Sequence, residues 1–147
     1  MENKYDCLKL ENQLCFPLYV VSKEIIKKYT PLLEKLDLTY TQYICMLALF
    51  ERKSINVKDL GEILYLDSGT LTPLLKKLEA KGYVTRKRSS DDERMVIVHI
   101  TDAGMKLRDL ALSIPEELKG CVVLSLDEIK SLFEILHKIM PNLQING

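Results

Sequence analysis

The sequence lacks the features that mark several classes of protein. It has no apolar run near the roughly 18 residues needed to span a bilayer, and its charged start, Met1-Glu2-Asn3-Lys4, leads into no signal-peptide core. It has no internal repeat, and 47% hydrophobic with 29% charged residues is not typical of a disordered or collagen-like chain. We therefore expect the 147 residues to form a folded, soluble, cytoplasmic protein with no membrane partner.

The sequence also lacks the spacing of a metal site. Its cysteines, at positions 7, 15, 45 and 121, form no C-x-x-C pair and have no histidine nearby in sequence. A static disulfide is not expected in a reducing cytoplasm. We therefore expect no metal and no cofactor, and each cysteine is either buried filler or a reactive thiol.

Net charge gives no global sign of a nucleic-acid partner, because 21 basic residues balance 21 acidic ones. The charge is uneven along the chain, however. Between Lys76 and Arg94 there are seven basic and four acidic residues. This segment, with its excess of basic residues, is the part of the chain in which we look for a nucleic-acid-binding surface.

Apolar residues at helical spacing predict four helices in the first half of the chain. These run from Leu8 to about Leu36, from a Thr39–Gln42 capping box to about Glu51, from Asn56 through Leu64, and from Asp67 to Leu78 with Gly82 behind it. Pro17 and Pro31 are expected to interrupt the first helix. The inward positions of the second and third helices are predicted to be Tyr43, Leu47, Phe50, Val57, Leu60, Ile63 and Leu64.

After Gly82 the period of the apolar residues changes from about 3.6 to 2, which indicates strands. Residues 83–88 and 94–100 are predicted to form a hairpin around the turn residues 89–93. Thr101 caps a further helix that stops near Pro115, and Ser125 with Glu128 forms a second capping box. The inward positions of the helix after Thr101 are predicted to be Ala103, Leu107, Leu110, Ala111 and Ile114.

Three helices followed by a two-stranded hairpin are typical of a winged helix-turn-helix, so the fold class is mainly α with a small β-wing. In that fold the last of the three helices enters the major groove and the wing tip reaches the neighbouring minor groove. The helix capped by Asp67 or Ser68 carries hydroxyls at its start and lysines one to two turns later, which suits base edges and phosphates respectively. The candidate DNA-binding residues are Ser68, Thr70, Thr72, Lys76, Lys77, Arg86, Arg88, Asp92 and Arg94. An ordinary amphipathic helix beside a charged sheet edge explains each element separately, but not their order.

The single chain, 1–147, divides into a winged-helix module at 39–101 and helical flanks at 1–38 and 102–147. The flanking helices are apolar on one side and have no core of their own, so they are expected to pack against a second copy. A two-fold homodimer would present its recognition helices to pseudo-palindromic half-sites about 34–36 Å apart on duplex DNA.

The residues just described resemble the MarR family of dimeric winged-helix regulators over essentially the whole chain. The resemblance lies in the helix Asp67 to Leu78, the wing Arg86 to Arg94 and the Ile100-Thr101-Asp102-x-Gly104 segment. The segments 10–16 and 66–73 are similar to those of the organic-hydroperoxide regulators of the OhrR type, and SarZ-type regulators share much of the pattern. Pro17 departs from it, since an aliphatic residue is usual there.

The resemblance implies a repressor that leaves its operator when organic hydroperoxide oxidises Cys15. It also implies that Tyr29 and Tyr40 lie at the thiol, and that Cys121 or a low-molecular-weight thiol resolves the oxidised state. The nucleophile must be a thiolate, and Cys15, expected beyond the first turn of its helix, has no basic neighbour in sequence. Tyrosine hydroxyls are therefore the candidate donors.

Helix geometry constrains how Tyr29 can serve that thiol. It lies 14 residues after Cys15, about 21 Å along one helix, so it cannot touch the cysteine of its own chain. A donor role for Tyr29 therefore requires the other subunit.

Three other interpretations remain open at this point. Cys15 could be a buried small hydrophobe, which is the commoner state of cysteine. The protein could be a MarR-like repressor released by a small phenolic ligand. A thiol peroxidase is the third, but an enzyme has no need of a DNA-reading helix and wing, so we expect a regulator and not an enzyme.

Overall fold

The computed structural model describes residues 3–143, which form helices around a small antiparallel sheet. The elements are α1 (Cys15–Glu34), α2 (Tyr40–Arg52), β1 (Ser54–Asn56), α3 (Val57–Leu64), α4 (Ser68–Ala80), β2 (Val84–Arg88), β3 (Val96–Ile100), α5 (Asp102–Ala111), α6 (Ile114–Leu118) and α7 (Leu126–Ile139). The predicted fold class, mainly α with a β-wing, is confirmed. None of the described helices is long and apolar enough to span a membrane.

The first helix begins later than the sequence predicts. Residues 6–8 and 10–12 form two short 3₁₀ turns instead of the start of α1. The Asn12 side chain donates to the Asp6 carbonyl at 2.7 Å, and the Gln13 side chain donates to the Cys7 carbonyl at 2.6 Å. These side-chain bonds satisfy backbone groups that a helix would otherwise use.

The later start changes the surroundings of Cys15 and Pro17. Cys15 is the first residue of α1, so the prediction that it lies beyond the first turn is wrong. Pro17 consequently falls in the first turn, where a residue has no intrahelical N–H bond to lose, and it does not interrupt the helix. Pro31 lies inside α1, which continues through it to Glu34.

Local capping signals place α2, α3 and α4 as predicted. Thr39 and Gln42 form the expected capping box, Asn56 accepts from the Asp59 N–H at 2.8 Å, and the Asp67 carboxylate accepts from the Thr70 N–H at 2.7 Å. Gly82 follows α4 at φ 80°, a left-handed conformation that glycine adopts without a steric cost. The caps therefore fix where the three helices of the winged module begin.

Four apolar residues predicted to be inward are instead exposed. They lie on sides of their helices that the core does not cover: Leu47 on α2, Ile63 on α3, and Ala103 and Leu110 on α5. In α2 the buried stripe follows Gln42, Cys45, Met46 and Leu49, and Leu47 is about a third of a turn away from it. Periodicity finds the apolar arc, but the neighbouring elements decide which part of that arc is covered.

The wing is the hairpin of β2 and β3, and β1 extends it to three strands in the order β1-β3-β2. Val84 pairs with Ile100 and Arg88 with Val96, while Ile55 of β1 pairs with Val98. The sequence did not predict β1, because three residues are too few to show a period of 2. Its pairing ties the start of α3 to the base of the wing.

The core lies between the helices of the winged module and the sheet. Its fully buried side chains come mainly from α2, α3, α4 and β3: Cys45, Met46, Leu49, Leu60, Leu75, Leu78 and Val98. Leu107, Ala111 and Ile114 extend the core to α5 and α6. This packing holds α4 by its leucine side and leaves its polar side outward.

The helices outside this core expose large apolar surfaces. The predicted capping box at Ser125 and Glu128 is confirmed, but α7 has no buried residue. Exposed apolar side chains on α7 are Leu126, Ile129, Leu132, Phe133, Ile135, Leu136 and Ile139. The start of α1 is similar, with Leu14, Phe16, Leu18 and Tyr19 exposed. Contiguous apolar surface of this kind marks an association site.

Gly104 offers a test of the junction between the wing and α5. A Cβ atom at this position would lie 2.3 Å from the Tyr83 carbonyl oxygen and 2.8 Å from Ile100 Cγ1. We therefore expect Gly104→Ala to lower the free energy of unfolding by about 1–3 kcal/mol, as overpacking does. Denaturant unfolding at fixed protein concentration measures this change.

Gly120→Ala is the matched control, because a Cβ there meets nothing within 4 Å. Its effect should stay within about 0.5 kcal/mol. Equal stability of the Gly104→Ala variant and wild type would show that the close approach of α5 and Tyr83 is wrong.

Candidate nucleic-acid interface and thiol site

The recognition helix α4 has two chemically distinct sides. Leu71, Leu74, Leu75 and Leu78 are buried as predicted. The predicted DNA-binding residues Ser68, Thr70, Lys76 and Lys77 are exposed, and Thr72 is half-buried. The helix thus presents small hydroxyls at its N-terminal end and lysines further along, all free to meet a partner outside the chain.

The wing tip is a hydrogen-bonded turn with its charges outward. The Asp92 carboxylate accepts from the Arg94 N–H at 3.0 Å, and Arg88 Nη1 donates to the Glu93 carbonyl at 2.8 Å. Residues 91–94 are exposed. Asp92 and Arg88 therefore shape the tip, while the exposed Arg94 side chain extends from it.

Arg86 has a partner within the chain that the sequence did not indicate. Its Nη2 and Nε atoms donate to Glu79 Oε2 at 2.9 and 3.2 Å, and its backbone N–H donates to Oε1 at 3.1 Å. The Arg86 hydrogen bond holds the pKa of Glu79 below its usual value. The pair joins β2 to α4. Arg86 therefore fixes the position of the wing relative to the recognition helix, in addition to any contact that it makes with DNA.

An open cleft of about 1100 Å³ separates α3 and α4 from the wing. Ser68 and Thr72 line it from the helix, and Arg86 and Arg94 line it from the wing. Four of the nine residues predicted to bind DNA therefore share one concave surface, with hydroxyl and guanidinium groups on opposite walls, while Thr70, Lys76, Lys77, Arg88 and Asp92 lie outside it.

Cys15 is exposed at the N-terminal end of α1. No side chain caps this end, and the N-cap residue, Leu14, supplies only backbone. The positive end of the helix dipole favours an anion at such a position, whereas the Phe16 N–H already donates to the Gln13 carbonyl at 3.3 Å and Pro17 has no N–H. The sequence did not reveal this position of Cys15, because the start of α1 was misplaced.

Tyr29 and Tyr40 meet in a cluster with a third tyrosine. The Tyr29 and Tyr40 ring centroids are 4.9 Å apart, and Tyr43 lies 5.8 Å from Tyr29 and 6.4 Å from Tyr40. Burial raises the pKa of Tyr29 and of Tyr43 above the usual value for tyrosine, and the adjacent Tyr40 adds to both shifts. Tyr29 and Tyr43 therefore remain neutral phenols, able to donate hydrogen bonds.

The thiol and the tyrosine cluster lie at opposite ends of α1. The helix is continuous from Cys15 to Glu34, so Tyr29 stands about 21 Å along it from the cysteine of the same chain. The two halves of the predicted redox site are therefore not brought together within one chain.

The remaining cysteines differ in exposure. Cys45 is buried, and burial raises its pKa to about 12, which keeps it a thiol. Cys7 and Cys121 are exposed, Cys121 in the 3₁₀ turn between α6 and α7. Within residues 3–143 no group of three or more His, Cys, Asp or Glu side chains is placed to hold a metal ion.

Comparison with known proteins places the chain among transcriptional regulators. Residues 27–110 match the family described as transcriptional regulator SarA/Rot. The chain is 49% identical to the organic hydroperoxide resistance transcriptional regulator of Bacillus subtilis over 97% of both chains. It is 47% identical to the HTH-type transcriptional regulator SarZ of Staphylococcus haemolyticus over 90% of both.

Solved structures agree in fold and in sequence. The structure of reduced AbfR, a Staphylococcus epidermidis protein, bound to DNA superposes with a TM-score of 0.77 and 35% identity, over 95% of this chain and 97% of AbfR. The helix order, the wing and these relatives lead to one conclusion. The chain belongs to the MarR family of winged-helix transcriptional regulators, alongside its OhrR- and SarZ-type members.

Proposed function

We propose that the protein is a cytoplasmic, homodimeric repressor that binds a pseudo-palindromic operator and releases it when organic hydroperoxide oxidises Cys15. The observation that carries the proposal is the pairing of an outward polar recognition helix and wing with an exposed cysteine at a helix N-terminus. The relatives support both the oxidant-sensing and the DNA-binding part of the proposal, since one is named for organic hydroperoxide resistance and AbfR is described bound to DNA.

In this proposal the module 39–101 reads DNA. The hydroxyls of Ser68, Thr70 and Thr72 contact base edges or nearby phosphates, and Lys76 and Lys77 contact phosphates further along the groove. The wing places Arg94 in the adjoining minor groove, where a narrow groove attracts guanidinium groups. The Arg86–Glu79 pair supports this arrangement because it fixes the angle between wing and helix.

The flanks 1–38 and 102–147, of which residues 1–2 and 144–147 lie outside the described part of the chain, form the dimer in this proposal. The apolar surfaces of α7 and of the start of α1 are exposed in the single chain, and association with a second copy would bury both surfaces. The same association would bring Cys15 of one subunit toward the tyrosine cluster of the other. Tyr29 and Tyr40, as phenol donors, would then hold the thiolate by hydrogen bonds.

The proposed oxidation of Cys15 proceeds in two steps. Attack of the Cys15 thiolate on a peroxide oxygen forms an S–O bond and breaks the O–O bond, giving a sulfenic acid and an alcohol. Condensation of the sulfenic acid with a second thiol forms a disulfide and releases water. Exposed Cys121 is a candidate for that thiol, and a low-molecular-weight thiol is the alternative. AbfR is described in a disulfide form, which supports condensation to a disulfide by either route.

Replacing Cys15 tests the proposed signal. Organic hydroperoxide should raise the operator Kd of wild type at least tenfold, and it should leave Cys15→Ser unchanged, because serine has no oxidisable sulfur. Fluorescence anisotropy with an operator selected from random duplexes by the reduced protein measures both. Cys7→Ser, which also removes an exposed thiol, is the matched control and should respond like wild type.

The masses of the oxidised proteins identify the resolving thiol in the same experiment. A Cys15–Cys121 link supports the two-cysteine route, and a small-thiol adduct supports the other. Release of Cys15→Ser by a phenolic ligand, with no oxidant response in wild type, would instead favour a ligand-released repressor.

The DNA contacts predict a specific salt dependence. Lys76→Ala removes one proposed phosphate contact from each subunit, so the slope of log K against log salt should become shallower by about 2 per dimer. Lys106→Ala removes an exposed lysine of α5 outside the proposed DNA surface and is the control. An unchanged slope for Lys76→Ala would remove that residue from the interface.

A further inference from the structure

Lys81, the residue that follows α4, makes a network that the DNA and thiol sites do not use. Its Nζ donates to the Asp37 backbone carbonyl, lies 3.4 Å from Asp37 Oδ2, and donates to Gln42 Oε1 at 3.3 Å. The Lys81 side chain is 27% exposed. Two hydrogen bonds and one ion pair therefore hold the Lys81 ammonium group.

Both partners of Lys81 belong to the junction between α1 and α2. Asp37 lies in the turn after α1 with φ 53°, a left-handed conformation that aspartate tolerates. Gln42 is 3% exposed, and its Oε1 also accepts from the Thr39 N–H at 3.1 Å. One buried amide oxygen therefore serves the N-cap of α2 and the C-terminal end of α4 together.

The same junction carries the tyrosine cluster. Tyr40 is the first residue of α2, directly after the Thr39 cap, and its ring contacts that of Tyr29. A second link runs in parallel, because the Tyr83 hydroxyl donates to the Leu36 carbonyl at 3.4 Å. Thr39, the neighbour of Tyr40, donates its N–H to Gln42 Oε1, which also accepts from Lys81, so a shift of Tyr40 would reach Lys81 through Gln42.

We propose that Lys81 is the positioning residue that couples the tyrosine cluster to the recognition helix. This inference rests on the proposed function, in which oxidation at Cys15 disturbs the tyrosines of the other subunit. The helix α4 spans 13 residues, about 20 Å, with Lys81 behind one end and Ser68 at the other. A tilt of about 5° about the Lys81 end moves Ser68 by about 2 Å, enough to break a hydrogen bond to DNA.

The test compares operator affinity before and after oxidation in Lys81→Met, which keeps the aliphatic stem and removes the ammonium group. The quantity measured is the ratio of the operator Kd of the hydroperoxide-oxidised dimer to that of the reduced dimer. We expect this ratio to be at least about threefold smaller than in wild type, within the range of typical allosteric couplings. A residue that only stabilised the fold would lower both affinities together and leave the ratio unchanged.

Two further variants keep the test decisive. Lys35→Met removes a nearby exposed lysine for which the described residues provide no ion pair, and it should keep the wild-type ratio. Lys81→Ala removes the ammonium group together with its stem, and it decides by the same threshold if Lys81→Met fails to form a folded dimer.

A change in the ratio of less than about threefold in the folded variant overturns the role of Lys81. Failure of wild type itself to release the operator on oxidation overturns the proposed function instead. The wild-type arm of the experiment therefore separates the two failures.

Discussion

The length of α1 is the constraint on which the rest of the account depends. Because the helix runs unbroken from Cys15 to Glu34, the thiol at its start and Tyr29 near its end are about 21 Å apart in one chain. Neither the thiol nor the tyrosine cluster is sufficient alone for the proposed chemistry. The thiol lies at the positive end of a helix, and the tyrosines supply the hydrogen-bond donors. A sensor built from both halves must be assembled between two chains, and the exposed apolar surface of α7 provides the means.

The DNA-reading helix is held in a complementary way. Its leucine side is fixed in the core, Glu79 attaches it to the wing through Arg86, and the segment behind it is attached to the α1–α2 junction through Lys81. The N-terminal end, with Ser68 and Thr70 exposed, is held by Leu71, which is buried in the core. In the proposed function this end meets base edges, and the attachments at the other end of α4 help to set its position.

Much of this fold follows from signals that are local in sequence. The capping boxes at Thr39 and Ser125, the Asp67 cap and the leucine spacing of α4 were all predicted, since each depends on residues within one or two turns. The start of α1 was not predicted, because Asn12 and Gln13 bind backbone carbonyls several residues away and hold the chain in turns. The strand β1 exists only through its pairing with β3, which no three-residue pattern reveals.

The candidate site divides in the same way. Residue type and spacing identified the hydroxyls and the lysines, the resemblance to the MarR family identified Cys15, and helix geometry separated Tyr29 from its own cysteine. The partners Glu79 of Arg86 and Gln42 of Lys81 were missed, because charge and amide pairs between elements depend on tertiary packing and leave no periodic signal. Tyr43 was predicted only as a core residue, although its ring completes the tyrosine cluster.

The central claim, that each thiol is served by the tyrosines of the other subunit, is tested by mixed dimers. One chain carries Cys15→Ser, and its differently tagged partner carries Tyr29→Phe with Tyr40→Phe. A site shared between subunits leaves one cysteine facing two intact tyrosines, so the purified heterodimer should react with hydroperoxide per thiol at close to the wild-type rate. A heterodimer that reacts no faster than the double tyrosine variant would show that thiol and tyrosines act within one chain, and would contradict the account.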